Sequence, residues 1–256
     1  MRQLFYCIVL LLIFSLATFL FPASFASTLI IEADLQRQFP EHEQMLLGQD
    51  PTFLALKRPY QTGFQKGTVV LVPDLYEHAA SAKYINFLRV SLPELGWNTL
   101  SIMPPVINLF DPVSVDLYQK QVKQRTQSAI NEAQQAPGAV LIIAQGTSAA
   151  IINQLYANQQ LTEVSALIIL GAYFPDVTLN NQQAQAIASH AIPTLDITSS
   201  LDNHFALSQL KQRQQLVDKL FKAIYRQRLI TGSGYEADNQ YWVLQEIYGW
   251  LTSIGL

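Results

Sequence analysis

From residue 53 onward, short apolar runs alternate with longer stretches in which apolar residues recur every three to four positions. Runs of the first kind suit strands buried on both faces, and the second kind suits amphipathic helices packed over them. Val69 to Val72, Thr99 to Met103, Val140 to Ile143, Ala166 to Leu170, Thr194 to Thr198 and Arg228 to Thr231 read as strands, with Phe53 to Lys57 as an antiparallel edge before them. Asp111 and Pro112 make a helix start, followed by Val115, Tyr118, Val122, Ala129 and Ala133 on one face. Ala149 to Tyr156 is helix-compatible, Leu210, Val217, Leu220, Phe221 and Ile224 mark another helix, and Tyr241, Leu244, Tyr248 and Leu251 a last one. Strand and helix in turn predict an α/β fold, a mostly parallel sheet with helices on both faces. No G-x-G-x-x-G follows the first parallel strand and no G-K-[ST] loop occurs, so the usual phosphate cradles are missing and no cofactor is expected.

The N-terminal residues follow a different pattern. Arg2 precedes an apolar stretch from Leu4 to Phe21, then Pro22 and small residues at Ser24 and Ala26. That is the layout of a secretory signal peptide cleaved after Ala26, which leaves residues 27–256 as one domain and the protein in the periplasm or outside the cell. An apolar run of roughly 18 residues also lies at the lower edge for spanning a bilayer, so a retained segment would tether the chain to a membrane. Cys7, the one cysteine, lies within this segment. Loss of the segment removes disulfides, thiol nucleophiles and thiolate metal sites together.

Charge narrows the functional classes. Charged residues make up 14% of the chain, against roughly 25% in an average globular protein. With a pI near 5.8 and no basic block, nucleic acid is not an expected partner. The four histidines, His42, His78, His190 and His204, are scattered without HxH or HExxH spacing, so no metal site is expected. Glu41, Glu43 and Glu77 with Asp74 give no directed geometry and read as surface charges.

The segment LIIAQGTSAA, residues 141–150, reads as a buried strand that turns sharply into a helix. Together with KGTVVLVPDLYEH, LPELGWNTLSIMPP and RLITGSGYEA, in that order along the chain, it resembles the α/β-hydrolase superfamily. Within it the chain is most similar to domain-of-unknown-function family 3530, a secreted branch from Gram-negative bacteria. The resemblance implies a nucleophile at the strand-to-helix elbow, in a small-x-nucleophile-x-small frame. Here the frame is Ala144, Gln145, Gly146, Thr147, Ser148, and the nucleophile position holds a glycine.

The companion positions depart from the pattern as well. Where the resemblance implies an oxyanion loop, the chain has Pro73, which lacks an N–H, and Asp74, whose charge opposes a developing anion; turn chemistry gives Asp74 a plainer role. Asp202 matches the expected acid, although an aspartate there also serves as a cap or turn residue. His204, in the first turn of the helix expected to run to Ile224, reads as a surface histidine. The expected histidine position, after the last strand, holds Tyr235, and a phenol near pKa 10 does not replace imidazole as a base near neutral pH.

Two functions follow from these residues. The first is a binding or interaction protein on a hydrolase scaffold, taking a small molecule, peptide, glycan or protein in a crevice that involves Asp74, Gln145, Gly146, Thr147, Ser148 and Tyr235. Amides at the helix start there suit an anion. The crevice is open or filled by aromatics such as Tyr76, Phe110 and Tyr173. The alternative is a secreted serine hydrolase or esterase that uses Ser148 or a relocated set, with His78 or His204 as base. Against it, Ser148 also suits a helix cap.

Overall fold

The computed structural model describes residues 23–49, 51–105 and 112–256. Most of the expected signal segment, Asp111 and Phe110 lie outside them. Eight strands form one sheet in the order β1-β2-β4-β3-β5-β6-β7-β8. These are β1 (Gln44–Leu47), β2 (Phe53–Arg58), β3 (Gly67–Val72), β4 (Trp97–Ile102), β5 (Ala139–Gln145), β6 (Ala166–Leu170), β7 (Thr194–Ser199) and β8 (Tyr225–Ile230). β1 and β2 pair antiparallel, β2 joins β4 antiparallel, and every later pairing is parallel.

Side chains alternate across the strands and sort into two cores. Val70, Val72, Ile142 and Ala144 face helices α3 (Pro112–Ala133), α4 (Gly146–Ala157), α6 (Gln183–Ser189) and α8 (Leu210–Lys219). Val69, Leu71, Leu141 and Ile143 face α2 (Ile85–Ser91) and α9 (Ala237–Ser253). Both faces are thus covered, as the uninterrupted apolar strands require. The buried Trp97 and Trp250 lie in the second core, each removing roughly 150–250 Å² from water. α1 (Ala23–Gln38) packs Leu35 on Leu54, Leu56 and Met103, beside the antiparallel edge. The short helices α5 (Val177–Asn181) and α7 (His204–Ser208) complete the described α-helices.

The last third of the chain differs from expectation. The helix expected to run to Ile224 is two helices, α7 and α8, and α8 ends at Lys219. Phe221 takes the left-handed conformation with φ +54° and turns the chain into β8. β8 starts at Tyr225 rather than Arg228. Its polar composition reflects an edge position, where only one side is paired and half the side chains meet solvent. β1 is short and half exposed, so the same reasoning hid it.

One buried polar network joins this edge to the loop after β6. Arg213 on α8 donates from Nη1 to both Asp196 carboxylate oxygens at 3.2 Å and from Nη2 to the Ala172 carbonyl at 2.5 Å. Tyr225 donates to Asp196 Oδ2 at 2.9 Å. Both charged side chains are fully buried, so removing one leaves an uncompensated charge in the core. Ala172 precedes Tyr173, so the same arginine fixes the loop that carries that tyrosine. Asp196→Ala is expected to cost about 3–5 kcal/mol in urea unfolding, whereas Asp196→Leu combined with Arg213→Met recovers most of that loss.

Candidate functional site

β5 ends at Gln145 and α4 begins at once with Gly146, whose φ of +57° makes the sharp turn. The expected strand–turn–helix elbow is present. The space beside the turn is filled by a side chain from another loop. A β-carbon built on Gly146 falls inside the Asp74 carboxylate, overlapping Cγ and both oxygens. Asp74 Oδ1 accepts from the Thr147 amide at 2.6 Å and from the Leu75 amide at 2.7 Å. A carboxylate from the loop after β3 therefore caps α4 at its positive end, where a side chain of the helix itself would ordinarily do so.

This geometry corrects the expectation for the oxyanion loop. Pro73 indeed donates nothing, but Leu75, two residues on, does. Two backbone amides converge, in the arrangement that holds an oxyanion, and their occupant is the protein's own anion. The anion seat expected at Gly146, Thr147 and Ser148 is thus already taken, at Thr147, by Asp74.

Electrostatics around Asp74 are finely opposed. Burial is the largest influence and pushes its pKa up to about 7, the Thr147 and Leu75 amides and Lys83 pull it down, and Glu77 pushes it further up. Glu77 is partly buried, not the surface charge expected: its Oε1 accepts from the side-chain Nε2 of Gln145 at 2.9 Å. Burial raises the Glu77 pKa, against the pull of Lys83. Glu77 Oε2 and Gln145 Oε1 are buried without a hydrogen-bond partner. Tyr173 brings its hydroxyl to 3.5 Å from Asp74 Oδ2, and burial pushes that phenol up to about 12. Tyr76 holds φ +68° while exposed beside the site, a conformation that costs a non-glycine residue roughly 1–3 kcal/mol.

The remaining expected residues are dispersed. Ser148 is fully buried, and its hydroxyl shares a hydrogen bond of 2.9 Å with Tyr118 of α3. It sits on the core side of α4 and does not cap it. Gln145 faces Glu77. Asp202 follows β7, where an acid was expected, but Lys83 is its partner at 2.6 Å and the Ser199 amide donates to its other oxygen at 2.7 Å. The cap of α7 is Asn203, one residue later. His204 opens α7, exposed, with its ring beside Phe205. His78 accepts from the Ala80 amide within its own turn, and burial lowers its pKa. Tyr235 is 67% exposed. Its loop is held by Gln240, which bonds Gly234, Ala82 and Lys83 carbonyls, and Gly234 lies against the Tyr84 ring.

A cleft of about 420 Å³ opens beside this turn, walled by Leu75, Tyr76, Thr147, Tyr173, Asp176 and Asn203 among others. Tyr235 is not among the residues that line it. Lys83 is the residue that sequence reasoning missed. It stands before α2 as an ordinary surface-type lysine in sequence, and only the fold carries it to Asp202. Among the described residues, no three His, Cys, Asp or Glu side chains are placed to hold a metal ion.

Comparison with known proteins agrees with this architecture. Residues 27–116 and 112–253 match the model of a family described as protein of unknown function (DUF3530). No curated protein matches the sequence. Among solved structures, Est1E from Butyrivibrio proteoclasticus is similar over 82% of this chain and 99% of its own, at 11% identity and a TM-score of 0.60. A putative dienelactone hydrolase from Klebsiella pneumoniae is similar over 82% of this chain and 97% of its own, at 12% identity and a TM-score of 0.60. A soluble variant of monoglyceride lipase from Saccharomyces cerevisiae gives 81% and 94%, at 11% identity and a TM-score of 0.58. The fold is that of the α/β-hydrolases.

Two measurements check the reciprocity of Gly146 and Asp74. Gly146→Ala is expected to cost about 2–4 kcal/mol in urea unfolding, because it adds a strained φ and expels the carboxylate from its amides. In an Asp74→Gly background the same change costs only about 1 kcal/mol, the backbone part. Asp74 also binds a proton more tightly folded than unfolded, so its contribution to stability is complete below pH 3.8 and is lost as pH rises through about 7. Asp74→Asn is therefore expected to raise Tm by roughly 2–6 °C at pH 8 and to leave it nearly unchanged at low pH, by differential scanning calorimetry.

Proposed function

The chain belongs to the DUF3530 family, and from that premise we propose that it is an exported α/β-hydrolase-fold protein that works by binding, without a Ser-His-Asp triad. The observation that carries this reading is the Asp74 carboxylate lying on the paired Thr147 and Leu75 amides, in the space a nucleophile's side chain would need. An acyl substrate would place its carbonyl oxygen on such amides, and here an oxygen of the Asp74 carboxyl already occupies them. Asp202 keeps an ammonium partner, Lys83, in place of an imidazole. Ser148 has its hydroxyl committed to Tyr118 in the core. The cleft bounded by Tyr76 and Tyr173 is the place for a ligand, be it a small molecule or part of a peptide, glycan or protein.

Export rests on the leader pattern of Arg2, the apolar run to Phe21, and the small residues at Ser24 and Ala26. The family match begins at residue 27, directly after the expected cleavage point. Among the described residues no helix is long and apolar enough to cross a membrane.

Purified protein is expected to leave p-nitrophenyl acetate and butyrate unhydrolysed above background and to take no label from a fluorophosphonate probe. Turnover that survives stringent purification, or labelling abolished by Ser148→Ala, would overturn the binding reading. Expressed with its leader in a Gram-negative host, the protein is expected in the periplasmic fraction with Ser27 as its new N-terminus by Edman sequencing; an intact Met1 in the membrane fraction would make it a tethered protein instead.

A further inference from the structure

The backbone at Tyr76 suits glycine. The Glu77 amide donates to the Asp74 carbonyl at 3.1 Å and closes a four-residue turn, and Tyr76, third in that turn, holds φ +68°. Glycine is the usual residue there, because a β-carbon is strained in the left-handed region. The turn itself has no use for a ring, yet it carries one that is 63% exposed. Tyr76 lines the cleft beside Tyr173, with Leu75, Val115 and Phe174 as the apolar part of the same wall.

Two polar residues of the lining are each held by their own helix. Asp176 caps α5, its Oδ1 accepting from the Leu179 amide at 2.9 Å, and Asn203 caps α7, its Oδ1 accepting from the Phe205 amide at 2.9 Å. Each side chain is fixed through one atom only. Asp176 Oδ2, an acceptor, and Asn203 Nδ2, a donor, make no hydrogen bond among the described residues. The Tyr173 hydroxyl reaches Asp74 Oδ2 only at 3.5 Å, long for an O–H···O bond, which is normally 2.5–3.0 Å. It too is open to a ligand.

These atoms narrow the ligand. Among the described residues the lining has no lysine, arginine or histidine to answer an anion. A cation would meet Asp176 but leave the donors of Tyr76, Tyr173 and Asn203 without acceptors. The lining residues follow β3, β5, β6 and β7 at their carboxyl ends and present no strand edge on which an extended peptide could pair. Sugar hydroxyls, by contrast, donate and accept alike, and the C–H face of a pyranose ring packs on an aromatic ring. The volume of about 420 Å³ lies within the roughly 300–1,000 Å³ of small-ligand sites. Resting on the binding reading above, we propose that the cleft takes a neutral pyranose unit, with its C–H face on Tyr76 and its hydroxyls on Asp176 Oδ2, Asn203 Nδ2 and the Tyr173 hydroxyl.

Amide chemical-shift titration tests the assignment with the methyl glycosides of glucose, galactose, mannose and N-acetylglucosamine, each to about 50 mM. Maltotriose and cellotriose serve as chain forms, and glucuronate, glucosamine and triglycine as controls. At least one neutral glycoside is expected to shift the Thr147, Tyr173 and Asn203 amides saturably, and to bind at least about fivefold more tightly than each control. Tighter binding of a chain form than of the glucoside places the unit in a glycan, and equal binding makes the ligand a free sugar. Tyr76→Gly relieves the left-handed strain, so it is expected to keep or raise Tm while weakening binding at least about fivefold. Asn203→Ser and Asp176→Ser retain a capping oxygen and lose the free atom, so each is expected to leave Tm nearly unchanged and to weaken binding several-fold. Neutral sugars that leave those amides unmoved, tighter binding of a charged sugar, or unchanged affinity in Tyr76→Gly would overturn the assignment. A control that alone moves the same amides would overturn it while leaving the binding reading intact, because that reading falls with turnover or covalent labelling.

Discussion

The hydrogen bonds from the Thr147 and Leu75 amides to one oxygen of Asp74 organise the functional end of this molecule. They join the loop after β3 to the first turn of α4, and they do so through a half-buried carboxylate whose ionisation is opposed by desolvation. The residue at 146 then has little choice. Its φ is left-handed, and any β-carbon would occupy the carboxylate's own volume. Glycine admits Asp74, and Asp74 in turn satisfies the amide that a bare glycine elbow would leave at the helix start.

The other positions of the scaffold are rebuilt around the same end of the sheet. Lys83 reaches Asp202, Gln240 ties the loop after β8 to Ala82 and Lys83, and Gly234 lets that loop press on Tyr84. This packing places an ion pair and a set of backbone hydrogen bonds where an acid and a histidine would need freedom to meet a substrate. Beneath it, the Arg213–Asp196 pair anchors the Ala172 carbonyl and with it the approach of Tyr173. Core and cleft are therefore mechanically linked, because the same buried arginine supports both β7 and the loop after β6.

Much of the architecture was legible in the chain. The β3, β5 and β6 runs are largely apolar because they are buried on both sides, and no competing pattern masks them. β1 and β8 lie at the sheet edges and carry polar residues, so their extent was hidden or misplaced. The break between α8 and β8 was missed because a left-handed turn at Phe221, a bulky non-glycine residue, has no local signature. Similarly, Ser148 looked like a capping residue in LIIAQGTSAA, but the helix starts at Gly146, three residues too early for that, and the Thr147 amide is capped by Asp74, 73 positions away in sequence.

The sequence by itself determined the fold, the elbow at residues 145–147, and the presence of a glycine at 146 and a proline at 73. These are local properties, since periodicity, glycine's backbone freedom and the missing N–H of proline are all readable within a few residues. Only the tertiary structure decided what fills the space they leave. The seat of Asp74 on the elbow amides, the pairing of Lys83 with Asp202 and the burial of Glu77 against Gln145 all depend on loops from different strands meeting at the carboxyl ends of the sheet. Burial and through-space charge set the behaviour of those groups, and neither is a function of neighbours along the chain.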